Sequence, residues 1–523
     1  MLPFEKILVA NRGEIAVRII RACKELEIPC VAIYSEADKY ALHVKLADES
    51  HYIGPANPIE SYLNIDKIID IALDVGADAI HPGYGFLSEN YNFAKACEKN
   101  DITFIGPSSD VLKKVKNKLQ AKLIMLDAGL PVTPGSKEPV EDIVTAKKIG
   151  RSIGYPILLK PSAGGGGIGM KIVKKASELE RLFEEAQKQA YNAFGDESIY
   201  IEKFIENPHH IEIQIVGDKH GNVVSLGERE CSIQRRHQKL IEESPSPSID
   251  EETRQAMSEV AVRGAKAINY DNVGTFEFIY SDGKFYFMEV NARIQVEHGI
   301  TEMRTGIDLV KEQIRIAAGE PISFTQEEIH PRGYAIECRI NVEDPYNNFL
   351  PTPGKIEWYR EPGGFGVRVD SGVTDGSIVP PEYDSLISKV MAWGRTRDEA
   401  INRLRRALEE FVVIGVKTTI PLHKIILIEK HFVEGKYDTG YINKYLEGLL
   451  RSIEEQELKR VAAISSVLEA ILGAQITKLR EKEIHKPISN VKPVFVDTTY
   501  QMYHMLRWSR KKKPTQFILS KRT

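Results

Sequence analysis

Four consecutive glycines, Gly164 to Gly167, constrain the fold of this chain more than any other feature, and Gly169 follows one residue later. Residues without a β-carbon lose too much conformational entropy to form a stable strand or helix here, so the segment must be a loop. Strand-like stretches lie on both sides, at 156–160 and 170–173, and Lys160 directly precedes the loop region. The pattern predicts an antiparallel hairpin whose bare N–H groups close over phosphates.

Two common glycine loops do not fit this segment. No Lys-Ser/Thr pair follows the glycines, as a P-loop requires, and a strand follows where a dinucleotide-binding loop needs a helix. A flexible linker is the remaining alternative, but linkers are not bracketed by two β-strands. A nucleotide-covering lid in the manner of ATP-grasp enzymes is therefore the favoured interpretation.

A second group of polar residues lies on a predicted hairpin at 274–290. If Ser281-Asp282-Gly283 forms a three-residue turn, Glu277 and Glu289 share one face, and Asn291, Arg293, Gln295 and Glu297 continue the row. The opposite, core-facing side would carry Phe276, Phe278, Tyr280, Tyr286, Met288 and Val290. Two carboxylates and an amide suit Mg²⁺, which prefers oxygen ligands. A two-residue turn would instead split the glutamates, and a solvated acidic face is the alternative.

The segment 228–243, ERECSIQRRHQKLIEE, is dense in charge and offers Gln234, His237 and Lys239 for anions and polar bases. Taken alone, such a run is equally typical of a charged surface loop. Cys231 lies near Lys239 in sequence, and a thiol beside cations can have a lowered pKa. A small packing residue is the alternative for Cys231. His81 is expected to form a turn in which its imidazole bonds to the backbone.

Hydrophobic periodicity gives a coarse secondary structure for the rest of the chain. Strands and helices alternate through the first 105 residues, which predicts a parallel α/β sheet with ligands at its carboxyl edge. One helix is expected over 108–128, β-strands over 211–300, and a helix over 301–319. A mixed α+β region should follow at 331–446. The last segment should contain a helix over 451–482 and short β-like stretches around Arg510–Lys513.

Composition narrows the class of protein further. The 523 residues carry a net charge of −4, which gives no general attraction to nucleic acid or anionic membranes. No stretch reaches the apolar length of a membrane helix, and the first residues lack a secretion signal. Five scattered cysteines indicate a reduced, intracellular protein. We therefore expect a cytoplasmic enzyme that binds neither nucleic acid nor membrane.

The chain resembles the biotin carboxylases, the subunits or domains of acetyl-CoA, propionyl-CoA and pyruvate carboxylases. The resemblance extends over residues 1–446 and is carried by the following stretches: VANRGEIAVRIIRACKEL (9–26), YSEAD (34–38), HPGYGFLSEN (81–90), GGGGIGM (164–170), ERECSIQRRHQK (228–239), FMEVNARIQVEHGITEM (287–303), ECRINVEDP (337–345) and PEYDSLISK (381–389). NARIQVEH together with QRRHQK is the most specific combination.

The resemblance implies a multidomain α/β and α+β fold. A Rossmann-like N-terminal domain would cover 1–114, and an ATP-grasp domain 115–325 with a mobile glycine-rich lid at about 131–204. A C-terminal mixed α+β domain would cover 331–446, which leaves a tail of unknown role at 447–523.

The resemblance also implies roles for individual residues. ATP would be bound by Lys118, Lys160, Gly165, Gly166, Gly167, Glu202, Lys203, Ile205, His210, Gln234 and His237. One or two Mg²⁺ (or Mn²⁺) ions would be held by Glu277, Glu289 and Asn291. Bicarbonate would be bound by Lys239, Arg293, Gln295 and Val296, with Glu297 as general base and Arg339 stabilising the biotin enolate. Lys239, Arg293, Glu297 and Arg339 would thus form the catalytic group.

The family reaction is ATP-dependent carboxylation of biotin by bicarbonate through carboxyphosphate. No Ala-Met-Lys-Met-like biotinylation site occurs, so biotin should arrive on a separate carrier protein, and a carboxyltransferase subunit should complete the complex. A homodimer is expected, with Arg18 and Arg21 on a helix facing the interface. Another bicarbonate-activating ATP-grasp ligase is the alternative. A silent scaffold is disfavoured because Lys239, Arg293 and Glu297 are all present.

Two residues depart from the family pattern or match it loosely. Ile168 stands where many members have an arginine after the lid glycines. Tyr441 aligns only loosely with the residue that packs on adenine in the family. The tail is expected to dock the carrier or transferase subunit through an apolar stripe on helix 451–482, and folding back on this chain is the alternative. The stripe comprises Val461, Ile464, Val467, Leu468, Ile471 and Leu472.

Overall fold

The computed structural model describes residues 3–161, 169–236 and 238–483. Two compact units divide the chain between Leu446 and Glu447. Among the described residues, no helix combines the length and the apolar character needed to cross a membrane.

The first hundred residues form a five-stranded parallel sheet in the order β3-β2-β1-β4-β5, which confirms the predicted α/β architecture. The apolar strands Ile7–Val9, Cys30–Ser35 and Ala79–His81 are buried because helices cover the sheet, whereas Glu49–Gly54 at its edge is largely exposed. The strands are β1 (Ile7–Val9), β2 (Cys30–Ser35), β3 (Glu49–Gly54), β4 (Ala79–His81) and β5 (Thr103–Phe104). The helices are α1 (Gly13–Glu25), α2 (Leu42–Leu46), α3 (Ile65–Asp74), α4 (Tyr91–Lys99) and α5 (Ser109–Lys116).

The loops after β1 and β4 meet at the carboxyl edge of this sheet. The side-chain amide of Asn11 donates to the carbonyls of Pro82 (2.6 Å) and Tyr84 (2.7 Å). Gly83 has a φ of +62°, and a β-carbon there would lie 3.0 Å from the Asn11 amide nitrogen. The imidazole Nδ1 of His81 accepts from the Gly83 amide at 3.1 Å, as predicted for this turn.

The single helix predicted over 108–128 is wrong. Asn117 has an extended ψ of 108°, so it ends α5 and begins α6 (Lys118–Asp127). Its side chain accepts from the Gln120 amide at 2.9 Å, which is the usual geometry of an N-cap. Apolar spacing continues through both helices, and only the capping asparagine marks the break.

The lid elements follow in the predicted order. They are α7 (Ile143–Ile153), β6 (Ile157–Pro161), β7 (Lys171–Val173), α8 (Leu179–Phe194) and β8 (Ile199–Lys203). β6 pairs antiparallel with both β7 and β8, which confirms the hairpin predicted around the glycine loop. The two helices and the sheet share an apolar core of their own. The glycines themselves lie outside the described residues.

An eight-stranded antiparallel sheet forms the centre of the first unit, in the order β13-β12-β9-β10-β11-β14-β21-β19. Its last three strands, β14 (Tyr334–Asn341), β21 (Leu386–Gly394) and β19 (Val367–Ser371), belong to the C-terminal region. Five strands precede residue 300: β9 (His209–Gly217), β10 (Val223–Arg235), β11 (Gln238–Ser244), β12 (Asn272–Ser281) and β13 (Lys284–Asn291). The helices of this region are α9 (Glu251–Ala267), α10 (His298–Thr305) and α11 (Leu309–Ala317).

The prediction of strands throughout 211–300 is wrong at Glu251–Ala267, which form α9. Asp250 caps this helix by accepting from the Thr253 amide at 2.8 Å, and buried residues recur at helical spacing from Met257 to Ala265. Both signals were present in the sequence. The single helix expected over 301–319 is also interrupted, because Gly306 adopts a left-handed φ of +75° between α10 and α11.

The C-terminal region joins the central sheet through the pairing of β11 with β14. Its strands are β14 (Tyr334–Asn341), β15 (Glu343–Asp344), β16 (Leu350–Pro351), β17 (Gly354–Lys355), β18 (Trp358–Arg360), β19 (Val367–Ser371), β20 (Ile378–Val379), β21 (Leu386–Gly394) and β22 (Val412–Ile414). The helices are α12 (Arg397–Glu410), α13 (Ile420–Ile426), α14 (Lys430–Val433) and α15 (Tyr441–Glu483). Side chains from both regions therefore stand on one continuous sheet.

The tail helix is longer than predicted, since α15 begins at Tyr441. Of the predicted stripe, Ile464, Val467, Leu468, Ile471 and Leu472 are exposed. The expected β-like stretches around Arg510–Lys513 lie outside the described residues.

Candidate active site

One cleft of about 1350 Å³ in the first unit collects nearly all predicted site residues. It is lined by the parallel sheet, the lid, the central sheet and the C-terminal region. The predicted residues in its wall are Lys118, Lys160, Glu202, Lys203, Ile205, His210, Gln234, Lys239, Glu277, Glu289, Asn291, Arg293, Gln295, Val296 and Arg339. Glu297 is fully buried beneath the floor. Gly165, Gly166, Gly167 and His237 lie outside the described residues.

The β12–β13 hairpin places Glu277 and Glu289 directly opposite each other, but not by the predicted turn. Ser281 pairs with Lys284, so the turn has two residues, Asp282 and Gly283, both with positive φ. A register shift after Glu277 leaves Met288 as the extra residue of a β-bulge. The bulge returns both glutamates to one face, which a two-residue turn alone would have prevented.

The same bulge changes which aromatic side chains face the core. Phe287 is buried with Phe276 and Phe278, and Phe285 packs against that cluster, so the prediction is wrong at Tyr286 and Met288. Val290, which follows the bulge, is in the core as predicted. Met288 lies instead in the wall of the cleft. The bulge breaks the alternation of inward and outward side chains along β13. The residues of this strand that precede Met288 therefore face the opposite side from the one predicted.

Lys239 is the centre of an ion cluster on the cleft floor. Its ammonium lies 2.6 Å from Glu212, 2.6 Å from Glu297 and 3.2 Å from Glu277. Burial would lower the pKa of Lys239, but the surrounding acidic groups raise it well above its usual value. Arg229, fully buried beneath, binds Glu212 as well. The cluster therefore keeps a charged ammonium at the surface of the cleft.

Glu297 is held between two cations. Its carboxylate accepts from Lys239 and, at 2.8 Å, from Arg339. Burial alone would raise the pKa of Glu297, yet the charges of Lys239, Arg339 and Arg229 hold it well below its usual range. Glu297 is thus an ionised acceptor buried beneath the cleft floor.

Arg339 carries two carboxylate partners. Its Nε donates to Glu242 at 2.6 Å, while its terminal nitrogen reaches Glu297. Burial raises the pKa of Glu242 to about 7, against the opposing charge of Arg339. Glu337, which faces Glu242 across strands β11 and β14, has its pKa raised well above normal by burial. Sequence reasoning did not single out either glutamate.

Cys231 does not have the lowered pKa suggested by its nearness to Lys239. The thiol is fully buried, and burial together with Glu212 raises its pKa well above the usual value. Its sulfur lies 3.8 Å from Glu297. A packing role fits this position better than nucleophilic chemistry.

Arg293 is fixed by the loop that follows β4. Its Nε donates to Glu89 at 3.1 Å, and the Ala292 amide donates to the same carboxylate at 2.9 Å. Another guanidinium nitrogen donates to the Gln295 side chain at 2.9 Å. Glu89 was contained in the family-like stretch 81–90 but received no role from the sequence. It holds the segment from which Arg293, Gln295 and Val296 enter the cleft.

The opposite end of the cleft has a surplus of positive charge around Glu202. Lys122 and Lys160 donate to its two oxygens at 2.7 and 2.6 Å. Lys122 was missed by sequence analysis, although it lies one helical turn after Lys118 on α6 and both line the cleft. The ammonium of Lys203 donates to the carbonyls of Gly154 and Tyr155, both at 3.1 Å. The backbone amide of Lys203 donates to the Pro134 carbonyl at 2.7 Å, so both the ammonium and the amide contact neighbouring backbone of the lid.

The glutamates expected to hold a metal ion are each paired with a cation. Glu289 pairs with Lys118, and Glu277 lies 3.1 Å from His210 and 3.2 Å from Lys239. Asn291 follows on the same face at the end of β13. Cross-strand carboxylate oxygens with an amide oxygen beside them fit a hard divalent cation. His210, Glu212 and Glu277 also bring ligand atoms within 4.8 Å of one another.

The two arginines of α1 differ in exposure. The guanidinium of Arg18 is buried and binds Glu302 and Asp308 at 3.0 and 2.6 Å. Arg21 on the same helix is exposed. Tyr441 is buried, with its hydroxyl donating to Glu429, and does not line the cleft, where Gly440 and Asn443 lie instead.

Three family models match consecutive parts of the chain. The N-terminal domain of biotin carboxylase matches residues 3–112, the ATP-binding domain of the carbamoyl-phosphate synthase L chain matches 117–325, and the C-terminal domain of biotin carboxylase matches 337–444.

Curated relatives match over almost their whole length. The chain is 54% identical over 481 residues to a pyruvate carboxylase subunit of Methanothermobacter thermautotrophicus, which covers 89% of this chain and 98% of the relative. It is 53% identical over 443 residues to the biotin carboxylase of Haemophilus influenzae, which covers 84% of this chain and 99% of the relative.

Solved structures share the fold at similar identity. The biotin carboxylase domain dimer of the 2-oxoglutarate carboxylase of Hydrogenobacter thermophilus, in complex with MgADP, ADP and bicarbonate, has a TM-score of 0.82 at 52% identity, covering 86% of this chain and 99% of that one. The biotin carboxylase of Campylobacter jejuni in a β,γ-ATP complex has a TM-score of 0.82 at 48% identity, covering 84% and 99%. This chain, whose cleft is lined by residues of all three matched regions, belongs to the biotin carboxylase family.

Proposed function

We propose that this chain carries out ATP-dependent carboxylation of biotin by bicarbonate, through carboxyphosphate, as the first half-reaction of a multi-subunit carboxylase. The observation that carries the proposal is Glu297, an ionised and fully buried carboxylate held between Lys239 and Arg339 at the cleft floor. A base, an anion-binding ammonium and a cation for an oxyanion are the three groups that this reaction needs side by side. The match of the C-terminal biotin carboxylase domain to 337–444, which includes Arg339, disfavours another bicarbonate-activating ligase.

Bicarbonate would be bound by Lys239, Arg293, Gln295 and the backbone of Val296. Bicarbonate is a weak nucleophile, so a placed carboxylate must remove its proton, and Glu297 is that base. As the anion contacts Lys239, it competes with Glu297 for the ammonium, and the pKa of Glu297 rises toward a useful value.

The deprotonated oxygen then attacks the γ-phosphorus of ATP, which gives carboxyphosphate and ADP. Carboxyphosphate decays to CO₂ and phosphate, and the phosphate removes the N1 proton of biotin. The negative charge passes to the ureido oxygen, where Arg339 can stabilise it before N1 attacks CO₂. If the lid closes during these steps, it would keep water away from the short-lived carboxyphosphate.

ATP would lie between the lid and the central sheet. Lys118 and Lys160 would contact its phosphates with Gly165, Gly166 and Gly167 above, and Glu202, Lys203 and Ile205 would form the adenine hinge. His210, Gln234 and His237 would complete the nucleotide site. Glu277, Glu289 and Asn291 would hold one or two Mg²⁺ (or Mn²⁺) ions, which neutralise charge on the transferring phosphates.

The same assignment extends to domains and partners. We divide the chain into an N-terminal domain 1–114, an ATP-grasp domain 115–325 with its lid at about 131–204, a C-terminal domain 331–446 and a tail 447–523. Biotin would arrive on a carrier protein, a carboxyltransferase subunit would use the carboxybiotin, and the chain would form a homodimer. All five cysteines are buried free thiols, which suits a cytoplasmic enzyme.

The tail would dock the subunit that carries biotin or the carboxyltransferase. Its helix exposes the apolar residues Leu458, Ile464, Val467, Leu468, Ile471 and Leu472. The pyruvate carboxylase subunit aligns over 481 residues and 89% of this chain, whereas the Haemophilus enzyme aligns over 443 residues and 84%. The similarity to the pyruvate carboxylase subunit therefore extends over more of the chain. Truncation after residue 450 should abolish complex assembly and spare ADP release with free biotin. Assembly that survives truncation would contradict docking.

The function is tested by ADP release from the purified chain with MgATP and bicarbonate, with and without free biotin. Biotin-stimulated, bicarbonate-dependent release and formation of acid-labile carboxybiotin are the expected results. Bicarbonate-dependent release that ignores both free biotin and a biotinylated carrier would move the assignment to a different acceptor. ATP binding without any bicarbonate-dependent release, even with the carrier, would contradict the proposal.

A further inference from the structure

Three family-like stretches of the sequence have no role in the chemistry above: residues 11–14, 81–85 and 383–389. They meet at Lys389, which stands on β21 and is fully buried, so that it does not line the cleft. A buried ammonium is costly unless its charge and its donors are satisfied. A lysine at this position therefore calls for an explanation beyond filling space.

The ammonium of Lys389 reaches the loop that enters the bicarbonate end of the cleft. It donates to the backbone carbonyl of Val296 at 2.6 Å, directly between Gln295 and Glu297. Its charge is balanced by Glu14 at 3.1 Å and Asp370 at 3.8 Å. Burial would lower the pKa of Lys389, but Glu14, Glu337 and Asp370 raise it, so the group is an ammonium.

The partners of Lys389 are themselves fixed. Glu14 lies in the first turn of α1 and accepts from the hydroxyl of Tyr84, whose loop is clamped by Asn11. In the central sheet, Lys389 is directly opposite Asp370 on β19 and Arg339 on β14. One ammonium thus links the N-terminal domain, the C-terminal strands and the 293–297 segment.

We propose that Lys389 is a positioning residue for bicarbonate, which sets the Val296 carbonyl and through it the placement of Arg293, Gln295 and Glu297. The inference rests on the proposed function, because it assigns bicarbonate to that segment. A shift of about 1 Å in such groups is enough to lower a rate by about 100-fold. Lys389 touches no substrate and takes no part in proton transfer.

Lys389→Met keeps the length of the side chain and removes the charge and donors. The Michaelis constant for bicarbonate should rise at least about 10-fold, while that for ATP stays within about twofold of the wild type. Calorimetric titration of bicarbonate into the MgADP-loaded protein should show the same loss without turnover. Lys424→Met, which removes a lysine paired with Glu409 near the surface, is the matched control and should change neither constant.

The outcomes separate this inference from the proposed function. A folded Lys389→Met protein with unchanged bicarbonate affinity, or with equal losses for ATP and bicarbonate, would overturn the positioning role while wild-type turnover still stands. If Lys389→Met does not fold, Tyr84→Phe tests the positioning role instead, because it removes the hydroxyl that donates to the Glu14 carboxylate. A rise of about 2- to 5-fold in the bicarbonate constant alone, at an unchanged melting temperature, supports the role. No rise overturns it.

Discussion

The two ends of the cleft differ in how their charges are balanced. The end around Lys239, here called the sheet end, brings four carboxylates (Glu212, Glu242, Glu277 and Glu297) into contact with three cations, Lys239, Arg229 and Arg339. The end around Glu202, here called the hinge end, brings that one carboxylate into contact with two cations, Lys122 and Lys160.

The difference teaches how each substrate must bind. Phosphates can use the surplus positive charge of the hinge end directly. Bicarbonate instead has to take a cation from an existing ion pair, and the carboxylate released by that exchange becomes the base. Binding of the anion and activation of the base are then one event.

Glu297→Gln should break this coupling with the largest effect. Turnover should fall by about 10²- to 10⁴-fold, the range for loss of a general base. Because the amide no longer holds Lys239, bicarbonate should bind at least as tightly as to the wild type. Steady-state kinetics with calorimetric bicarbonate binding measure both quantities. A large rise in the bicarbonate dissociation constant would mean that Glu297 helps to bind the anion and that the exchange picture is wrong.

Arg339→Met should separate the two halves of the chemistry. Formation of carboxybiotin should fall about 100-fold, because the enolate loses its fixed cation. The rate of bicarbonate-dependent ATP cleavage without biotin should stay within several-fold of the wild-type rate, because Lys239 remains beside Glu297. The two rates are measured by trapping carboxybiotin and by ADP release in the same sample. Equal losses in both would place Arg339 in bicarbonate activation instead.

Lys122→Met tests the hinge end and should have a smaller effect. The variant leaves Glu202 with one cation, Lys160, and removes a donor from the cleft wall. The Michaelis constant for ATP should rise about 5- to 10-fold, as for loss of one charge-assisted hydrogen bond, with that for bicarbonate unchanged. Lys114→Met, whose ammonium binds the Ile268 carbonyl outside the cleft, is the control. A matched rise for bicarbonate would show that the two ends are not independent.

The sequence supported most of the architecture because the signals were local. Alternating strands and helices, the glycine run and the apolar hairpins each depend on a few neighbouring residues. The break at Asn117 and the helix α9 were missed, although capping side chains marked both. At both places the prediction followed the apolar spacing of the chain and disregarded the single capping residue, Asn117 or Asp250.

The hairpin at 272–291 shows what the sequence could not provide. Its two-residue turn predicts that Glu277 and Glu289 face opposite ways, and only the bulge at Met288 reverses that. At the bulge, Phe287 packs against Phe276 and Phe278 in the folded core, a contact that local strand alternation does not predict. Lys122, Glu242 and Glu337 were overlooked for a similar reason, since their importance comes from neighbours distant in sequence.

The smallest expected effect concerns the pH dependence of stability at the sheet end. Glu242 has a pKa of about 7 in the folded protein, against about 4.3 for an unfolded glutamate. A raised carboxyl pKa favours the folded state at low pH, and that contribution is lost as pH rises from about 4.3 to about 7. Glu297, whose pKa is lowered, acts in the opposite sense and loses its contribution only as pH falls below about 4.3.

The stability of Glu242→Gln relative to the wild type should therefore increase as pH rises. Its melting temperature relative to the wild type should increase by on the order of 1–3 °C between pH 5 and pH 7.5, on top of any constant loss from weakening the contact with Arg339. Glu252→Gln, on the exposed side of α9, should show no such trend. A relative melting temperature that is flat or falls with pH would mean that Glu242 is ionised throughout. The sheet end would then carry a full excess of negative charge, and bicarbonate would need the metal ions to enter it.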